Sequence, residues 1–244
     1  MTRFQGLPPV KSIAIGRLLF NKSLDQWHDC INRMTQVAIR TQAVEHIEWL
    51  TTMGAPVDMA RNLLVAQALE KGLDAIFWLD CDMIVPDDSI VRLVSMLNAG
   101  YPVATGMYRR TVAPNELLLM KDDRTWYTIE EIDARAEAEG LPVDDIYIAA
   151  GGFSMVHTEV YRAIQRRVGL PWYCNWDFVT NHGQVGEDSF FNYRLHDIGV
   201  QSAVDPSLCA VHWPPFANPV PTRPDQPEMS WVKFMKQQDV LKTP

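Results

Sequence analysis

The chain has 244 residues and a formal net charge of −8, with 22 lysine and arginine against 30 aspartate and glutamate side chains. No run of basic residues offers a nucleic-acid track, so an anionic substrate would need a metal ion or a local basic pocket. Hydrophobic residues make up 47%, enough for a substantial core. The four scattered cysteines, Cys30, Cys81, Cys174 and Cys209, form no CxxC pair, which argues against structural zinc or a disulfide scaffold and fits a reducing compartment.

Ser12-Ile13-Ala14-Ile15 reads as a first strand closed by Gly16. Leu24, Trp27, Ile31, Met34 and Ala38 then recur at helical spacing. A second strand is expected around Val44 to Trp49. Gly54-Ala55-Pro56 opens a helix with Ala60, Leu64 and Ala68 on one face and Gly72 as its stop. Ala75 to Leu79 is an apolar strand that ends in Asp80-Cys81-Asp82. Pro86-Asp87-Asp88 is expected to cap the next helix, where Ile90, Leu93, Val94 and Leu97 share a face before Gly100. Val103-Ala104-Thr105 is a further strand.

The alternation breaks after Tyr108. The acidic stretch from Arg109 to Asp145, with a short helix over Ile129 to Ala138, reads as an insertion or lid over the site. Strand pieces follow at Ile146 to Ala150 and Phe153 to Val156, around Gly151-Gly152. Helices are expected over Glu159 to Arg166 and Gly186 to His196, then closing strands over Val200 to Val204 and Leu208 to Val211. A proline-rich tail, residues 214–244, carries a last amphipathic segment over Ser230 to Val240. This order predicts one α/β domain over residues 1–213 with a mostly parallel, Rossmann-like central sheet flanked by helices. No charged-then-apolar leader opens the chain and no apolar run is long enough for a membrane span, so a soluble, cytoplasmic protein is expected.

Asp80 and Asp82 are the residues that point to chemistry. Alternation along a strand turns both to one side. Two carboxylates at the carboxyl end of a buried strand can hold a hard divalent cation, which can in turn hold a diphosphate. Ligands of open α/β sheets bind outside the carboxyl ends of the strands, where this pair lies. The plainer alternative is that they cap the following turn.

Three segments in order, Trp78 to Ile90 (WLDCDMIVPDDSI), Gly186 to Val200 (GEDSFFNYRLHDIGV) and Asp205 to Trp213 (DPSLCAVHW), resemble the nucleotide-sugar glycosyltransferases of the GT-A fold, especially short bacterial and phage-type members of family-2-like character. Ala60 to Leu69 and Ala149 to Tyr161 also look like elements of that family. The resemblance implies a hexosyltransferase with a DxD metal site for Mn²⁺ or Mg²⁺, in which Asp82 is the ligand, Asp80 supports the metal or ribose, and His212 is the third protein ligand. It implies an acidic catalytic pair in which Asp188 is the general base for an acceptor hydroxyl and Glu187 binds the acceptor. The donor would be a UDP- or GDP-sugar, and the acceptor a glycan, small molecule or modified macromolecule.

Donor contacts are expected from Arg61 and Asn62 beside the nucleotide pocket and from Arg109 and Arg110 on the leaving diphosphate. Gly151 and Gly152 would let the donor sugar or acceptor approach the backbone, and Trp172 would stack on a sugar face. Each has a plainer reading: solvated or loop arginines, a tight turn, a core tryptophan. Two competing functions are compatible with the sequence. Phe77 to Val85 loosely fits the nucleophile motif of a haloacid-dehalogenase-type phosphatase, although two helices precede it and His212 would be left without a role. A non-catalytic nucleotide- or glycan-binding module of the same fold is the other.

Overall fold

The computed structural model describes residues 6–19, 25–111, 114–122, 124–177, 183–213 and 220–222. Leu24, the segment over Ser230 to Val240 and nearly all of the tail lie outside these residues. In chain order the elements are β1 (Ser12–Leu19), α1 (Asp25–Arg40), β2 (His46–Met53), α2 (Val57–Glu70), β3 (Ala75–Leu79), β4 (Met83–Ile84), α3 (Ser89–Asn98) and β5 (Val103–Met107). They continue with β6 (Leu119–Met120), α4 (Ile129–Glu139), β7 (Val143–Ile146), β8 (Ile148–Ala149), β9 (Phe153–His157), α5 (Thr158–Arg167), β10 (Trp176–Asp177) and β11 (Gly183–Gln184). The last are α6 (Glu187–Asp197), β12 (Ser202–Cys209), β13 (Val211–His212) and β14 (Val220–Pro221).

Among the described residues, a central sheet of seven strands runs in the order β2-β1-β3-β9-β5-β12-β7. The β1–β2, β1–β3 and β5–β12 pairs are parallel. Strand β9 is inserted antiparallel between β3 and β5, and β7 lies antiparallel beside β12 at one edge. Every residue of β3 is buried, which is why its sequence is an unbroken apolar run rather than an alternation. Ala75, Phe77 and Leu79 pack into one apolar cluster with Trp27, Ile31 and Met34 of α1 and with Ile90, Leu93 and Leu97 of α3. Ile76 and Trp78 face the other side, among Leu64 and Ala68 of α2, Val160 and Ile164 of α5, and Phe191 and Leu195 of α6. The sheet is thus covered by helices on both faces.

The expected elements recur with instructive differences. Gly16 does not close β1, which continues to Leu19; the Trp78 indole crosses it, and a Cβ there would lie 2.5 Å from the ring. Asp87 and Asp88 do not cap α3: Asp88 makes no capping bond with its side chain, and Asp87 accepts from Arg33 Nε at 3.0 Å. The two expected closing strands fall largely in one irregular strand, β12, with its register interrupted between Val204 and Cys209, and Val211 belongs to β13. Pro206 lies in that interruption, where its missing N–H leaves no ladder bond broken. Within residues 109–145, α4 starts at a reciprocal cap between Thr128 and Glu131, and β7 supplies the edge strand of the sheet. Ile132 and Val143 share a third apolar cluster with Met107 and Val204.

Candidate active site

Strand β3 delivers Asp80 at its carboxyl end, and pairing fixes what faces it. Because Leu79 lies opposite Phe153, the chain just before β9 crosses in front of Asp80, and the Asp80 N–H donates to the Gly152 carbonyl at 3.0 Å. The Gly152 N–H donates in turn to the Tyr108 hydroxyl at 2.9 Å. The two glycines are there for close approach. A Cβ on Gly151 would lie 2.5 Å from Asp188 Oδ1, and one on Gly152 would lie 2.5 Å from Asp80 Oδ2 and 2.8 Å from the Tyr108 hydroxyl.

A short ladder brings the distant histidine in. Strand β13 pairs antiparallel with β4, setting His212 opposite Met83, and the Trp213 N–H donates to the Asp82 carbonyl at 2.6 Å. The His212 ring then reaches Asp82 Oδ2 with Nε2 at 3.3 Å, while Nδ1 lies 2.9 Å from the Arg109 carbonyl. Burial opposes protonation of this ring, but the Asp82 carboxylate and the Arg109 carbonyl outweigh it and raise its pKa. Tyr108 packs edge-on against His212, with ring centroids 5.8 Å apart.

Helix α6 brings the second acidic pair. Glu187 and Asp188 occupy its first turn, where the unpaired N–H groups favour negative charge. Asn192, one turn on and buried, accepts from the Ala149 N–H at 3.2 Å and donates to the Ala149 carbonyl at 2.9 Å, so α6 is tied to the strand that leads into the glycine pair. Between the two acidic groups sits Arg61 of α2, with 1% of its side chain exposed. Its Nη2 lies 3.3 Å from Asp80 Oδ1 and 3.8 Å from Asp188 Oδ1, and its Nε lies 3.6 Å from Glu187 Oε1. Desolvation works against the guanidinium charge, and the surrounding carboxylates more than restore it, so its pKa is raised. Desolvation pushes the Asp80 carboxyl up to about 6 against the pull of Arg61, with the Asp188 and Asp82 charges adding to the rise. Since 38% of the Asp80 side chain meets solvent, screening moderates that shift. Glu187 is raised by burial and by the Asp188 charge beside it.

Asp80, Asp82, Arg61, Gly151, Gly152, Glu187, Asp188 and His212 therefore converge. The other expected site residues do not join them. Asn62 is a brace: its Nδ2 donates to the Tyr173 carbonyl at 2.7 Å, and its Oδ1 accepts from the Trp172 and Tyr173 N–H groups, both at 3.1 Å. Trp172 is a core residue, 6% exposed, whose indole N–H donates to the Tyr161 carbonyl at 2.8 Å. Arg109 is spent on the Thr222 and Asn115 carbonyls, and Arg110 pairs with Glu116 at 3.6 Å. For Asn62, Arg109 and Arg110 a polar side chain predicted for a ligand satisfies a neighbouring segment instead. Tyr108 and Asn192 escaped the sequence reading. Asn192 could have been found as the residue one helical turn after Asp188; Tyr108 carries no local signal.

Four carboxylates gather around one arginine and one histidine, an excess of negative charge suited to a cation. Asp82 and His212 meet at 3.3 Å, but among the described residues no three His, Cys, Asp or Glu side chains close into a metal cage.

The chain aligns with the crystal structure of A197 from STIV at a TM-score of 0.54 and 14% identity, over 90% of this chain and 98% of that one. It aligns with GalNAc-T7, crystallised with UDP, GalNAc and Mn²⁺, at a TM-score of 0.54 and 12% identity, over 84% of this chain. The fold is of the GT-A type. The GT-A match spans 44% of the GalNAc-T7 chain. No protein-family model matches the sequence, and no curated protein matches it. At these identities the likeness is one of fold, so function has to be argued from the site. No helix among the described residues is long and apolar enough to cross a membrane.

Proposed function

We propose that the protein is a metal-dependent glycosyltransferase that moves a sugar from a nucleoside-diphosphate sugar to an acceptor hydroxyl. The observation that carries this reading is the convergence of Asp80, Asp82 and His212 with Glu187 and Asp188 at the carboxyl end of β3 on a GT-A sheet. A phosphatase with Asp80 as nucleophile would leave His212 and the α6 pair without a role.

Asp82 and His212 are the residues that would hold a divalent cation. A carboxylate and an imidazole suit Mn²⁺ or Mg²⁺, and two protein donors fit an ion that completes its shell with water and phosphate oxygens rather than with protein alone. When bound, the ion compensates charge building on the departing diphosphate. Asp80 stands beside that position for the ribose or a metal-bound water. The glycine pair lets the Asp80 and Asp188 carboxylates close onto the backbone between them. Asp188, 25% exposed, turns its buried Oδ1 toward Arg61, and its carboxylate is the group that would take the acceptor's proton as the acceptor oxygen attacks the anomeric carbon. Glu187 orients the acceptor. Transfer with Asp188 as base inverts the anomeric centre. Domain boundaries of 1–213 for the transferase and 214–244 for a tail belong to the same proposal, as does a cytoplasmic setting.

A thermal-shift panel of UDP-, GDP-, CMP- and dTDP-sugars with and without Mn²⁺ tests this. One donor class is expected to raise the melting temperature only with metal. Asp82→Ala is expected to abolish that shift. Asp188→Asn is expected to keep it while transfer falls by at least about 100-fold, the low end for a lost general base. Metal-independent shifts across the panel, or full transfer by Asp188→Asn, would remove the metal and base assignments respectively.

A further inference from the structure

Resting on the transferase reading, we propose that Arg61 is a positioning residue that locks the donor-side carboxylate Asp80 to the acceptor-side carboxylates Glu187 and Asp188. The donor contact expected of Arg61 from the sequence does not fit its enclosure: at 1% exposure it presents no surface to a substrate. All three carboxylates lie within 3.3 to 3.8 Å of its nitrogens, and they come from two elements, the end of β3 and the first turn of α6.

The other side of the guanidinium is walled by aromatic rings. Its carbon lies 5.0 Å from the Trp78 ring centroid and 5.6 Å from that of Tyr173. Tyr173 stacks on Phe191 of α6 with centroids 4.7 Å apart, and hydrogen bonds of 2.9 Å link Trp78 to Tyr161 and Tyr161 to Tyr173. Asn62 holds the Tyr173 backbone from the next position on α2. The stack therefore joins α2, β3 and α6 through one cation.

Two observations say that this cation acts on carboxylate geometry. Arg61 Nη2 donates to Asp80 Oδ1 at 3.3 Å, while Arg61 Nε and Nη1 and Asp188 Oδ1 are buried without a hydrogen-bond partner, so the α6 side of the group is held by charge and packing. Gly151 is bare at that point: a Cβ would lie 3.4 Å from Arg61 Nη1 and 2.5 Å from Asp188 Oδ1. Only a planar, delocalised fork can face carboxylates on two elements while lying against aromatic rings; an ammonium keeps the charge but supplies one point.

The full chain carrying Arg61→Lys or Arg61→Met tests the proposal. In equilibrium denaturation, double-mutant cycles pair Arg61→Met with Asp80→Asn and with Asp188→Asn. Both cycles are expected to be non-additive, and additivity in both overturns the lock. In steady-state turnover, folded Arg61→Lys is expected to lose kcat on the order of 100-fold, as for a reacting group displaced by a fraction of a bond length. Its donor KM is expected to stay within about threefold of the parent. Unchanged kcat, or a loss confined to KM, overturns the positioning role; the latter marks a direct donor contact. If the parent chain turns over no sugar nucleotide, the transferase reading fails by itself, and the cycles still decide the lock.

Discussion

At the residue scale the site is decided by what is missing at Gly152. A single methyl there would press on the Asp80 carboxylate and the Tyr108 hydroxyl at once, one a charged group and the other buried against His212. Overpacking of this kind usually costs about 1–3 kcal/mol. Gly152→Ala is therefore expected to lower the denaturation midpoint and to weaken metal-dependent donor binding by about tenfold or more, for a shift of roughly 1.4 kcal/mol. Isothermal calorimetry on the folded variant checks this, and wild-type affinity would show that Asp80 has slack. The acidic residues of the candidate site stood out in the chain because Asp80 and Asp82 end an apolar run and Glu187 and Asp188 begin a helix. Tyr108 did not, because its role depends on the Gly152 N–H, 44 residues away. Arg109 and Asn62 were placed otherwise for the opposite reason: a charged or amide side chain near a site satisfies the nearest carbonyl as readily as a ligand.

At the scale of elements, helix α5 begins on a titratable cap. His157 Nδ1 accepts from the Glu159 N–H at 3.2 Å, which leaves Nε2–H to donate to the Pro8 carbonyl at 3.2 Å. The Nδ1 bond requires the neutral ring; the Nε2 bond to Pro8 favours the proton, but burial outweighs it and holds the pKa below the usual imidazole value. A depressed folded-state pKa means that the stabilisation is fully present above the unfolded value of about 6.5 and is lost as pH falls through the folded value. His157→Asn keeps a capping acceptor without the proton. Its stability is expected to fall less steeply than the parent's below pH 6.5 in urea titrations. His196, half-buried and with a pKa lowered by desolvation, supplies a residual slope. Helix and strand identities were legible because they rest on periodicity within ten or so residues. The end of β1 was not, since Gly16 looks like a stop until the indole of Trp78 is seen to occupy the space that a side chain would need.

For the molecule as a whole, the helices that carry Arg61 and Asp188 lie on one face of the sheet, and the cluster on the other face reaches β4 and β13 beside Asp82 and His212. Met34 of α1 is fully buried in the cluster with α3, whereas Arg61 and Asp188 come from α2 and α6 on the opposite face. Met34→Ala is expected to destabilise the fold by about 2–5 kcal/mol, as buried truncations do. Donor affinity of the folded protein should stay unchanged, read as a lowered urea midpoint beside an unaltered calorimetric titration. A matching loss of affinity would show that the two faces are coupled through the sheet.

The amino-acid sequence by itself determined the α/β class, most element positions and the acidic groups, because each depends on near neighbours along the chain. Strand order, the insertion of β9 beside β3, the meeting of His212 with Asp82 and the enclosure of Arg61 were decided only in three dimensions. His212 and Asp82 are 130 residues apart, and nothing local encodes which distant strand will pair with β4. The negative charge of Asp80, Glu187 and Asp188 is written in the chain. That one buried guanidinium faces all three follows from helix α2, strand β3 and helix α6 being packed on one sheet, where desolvation leaves a carboxylate few partners but the nearest cation.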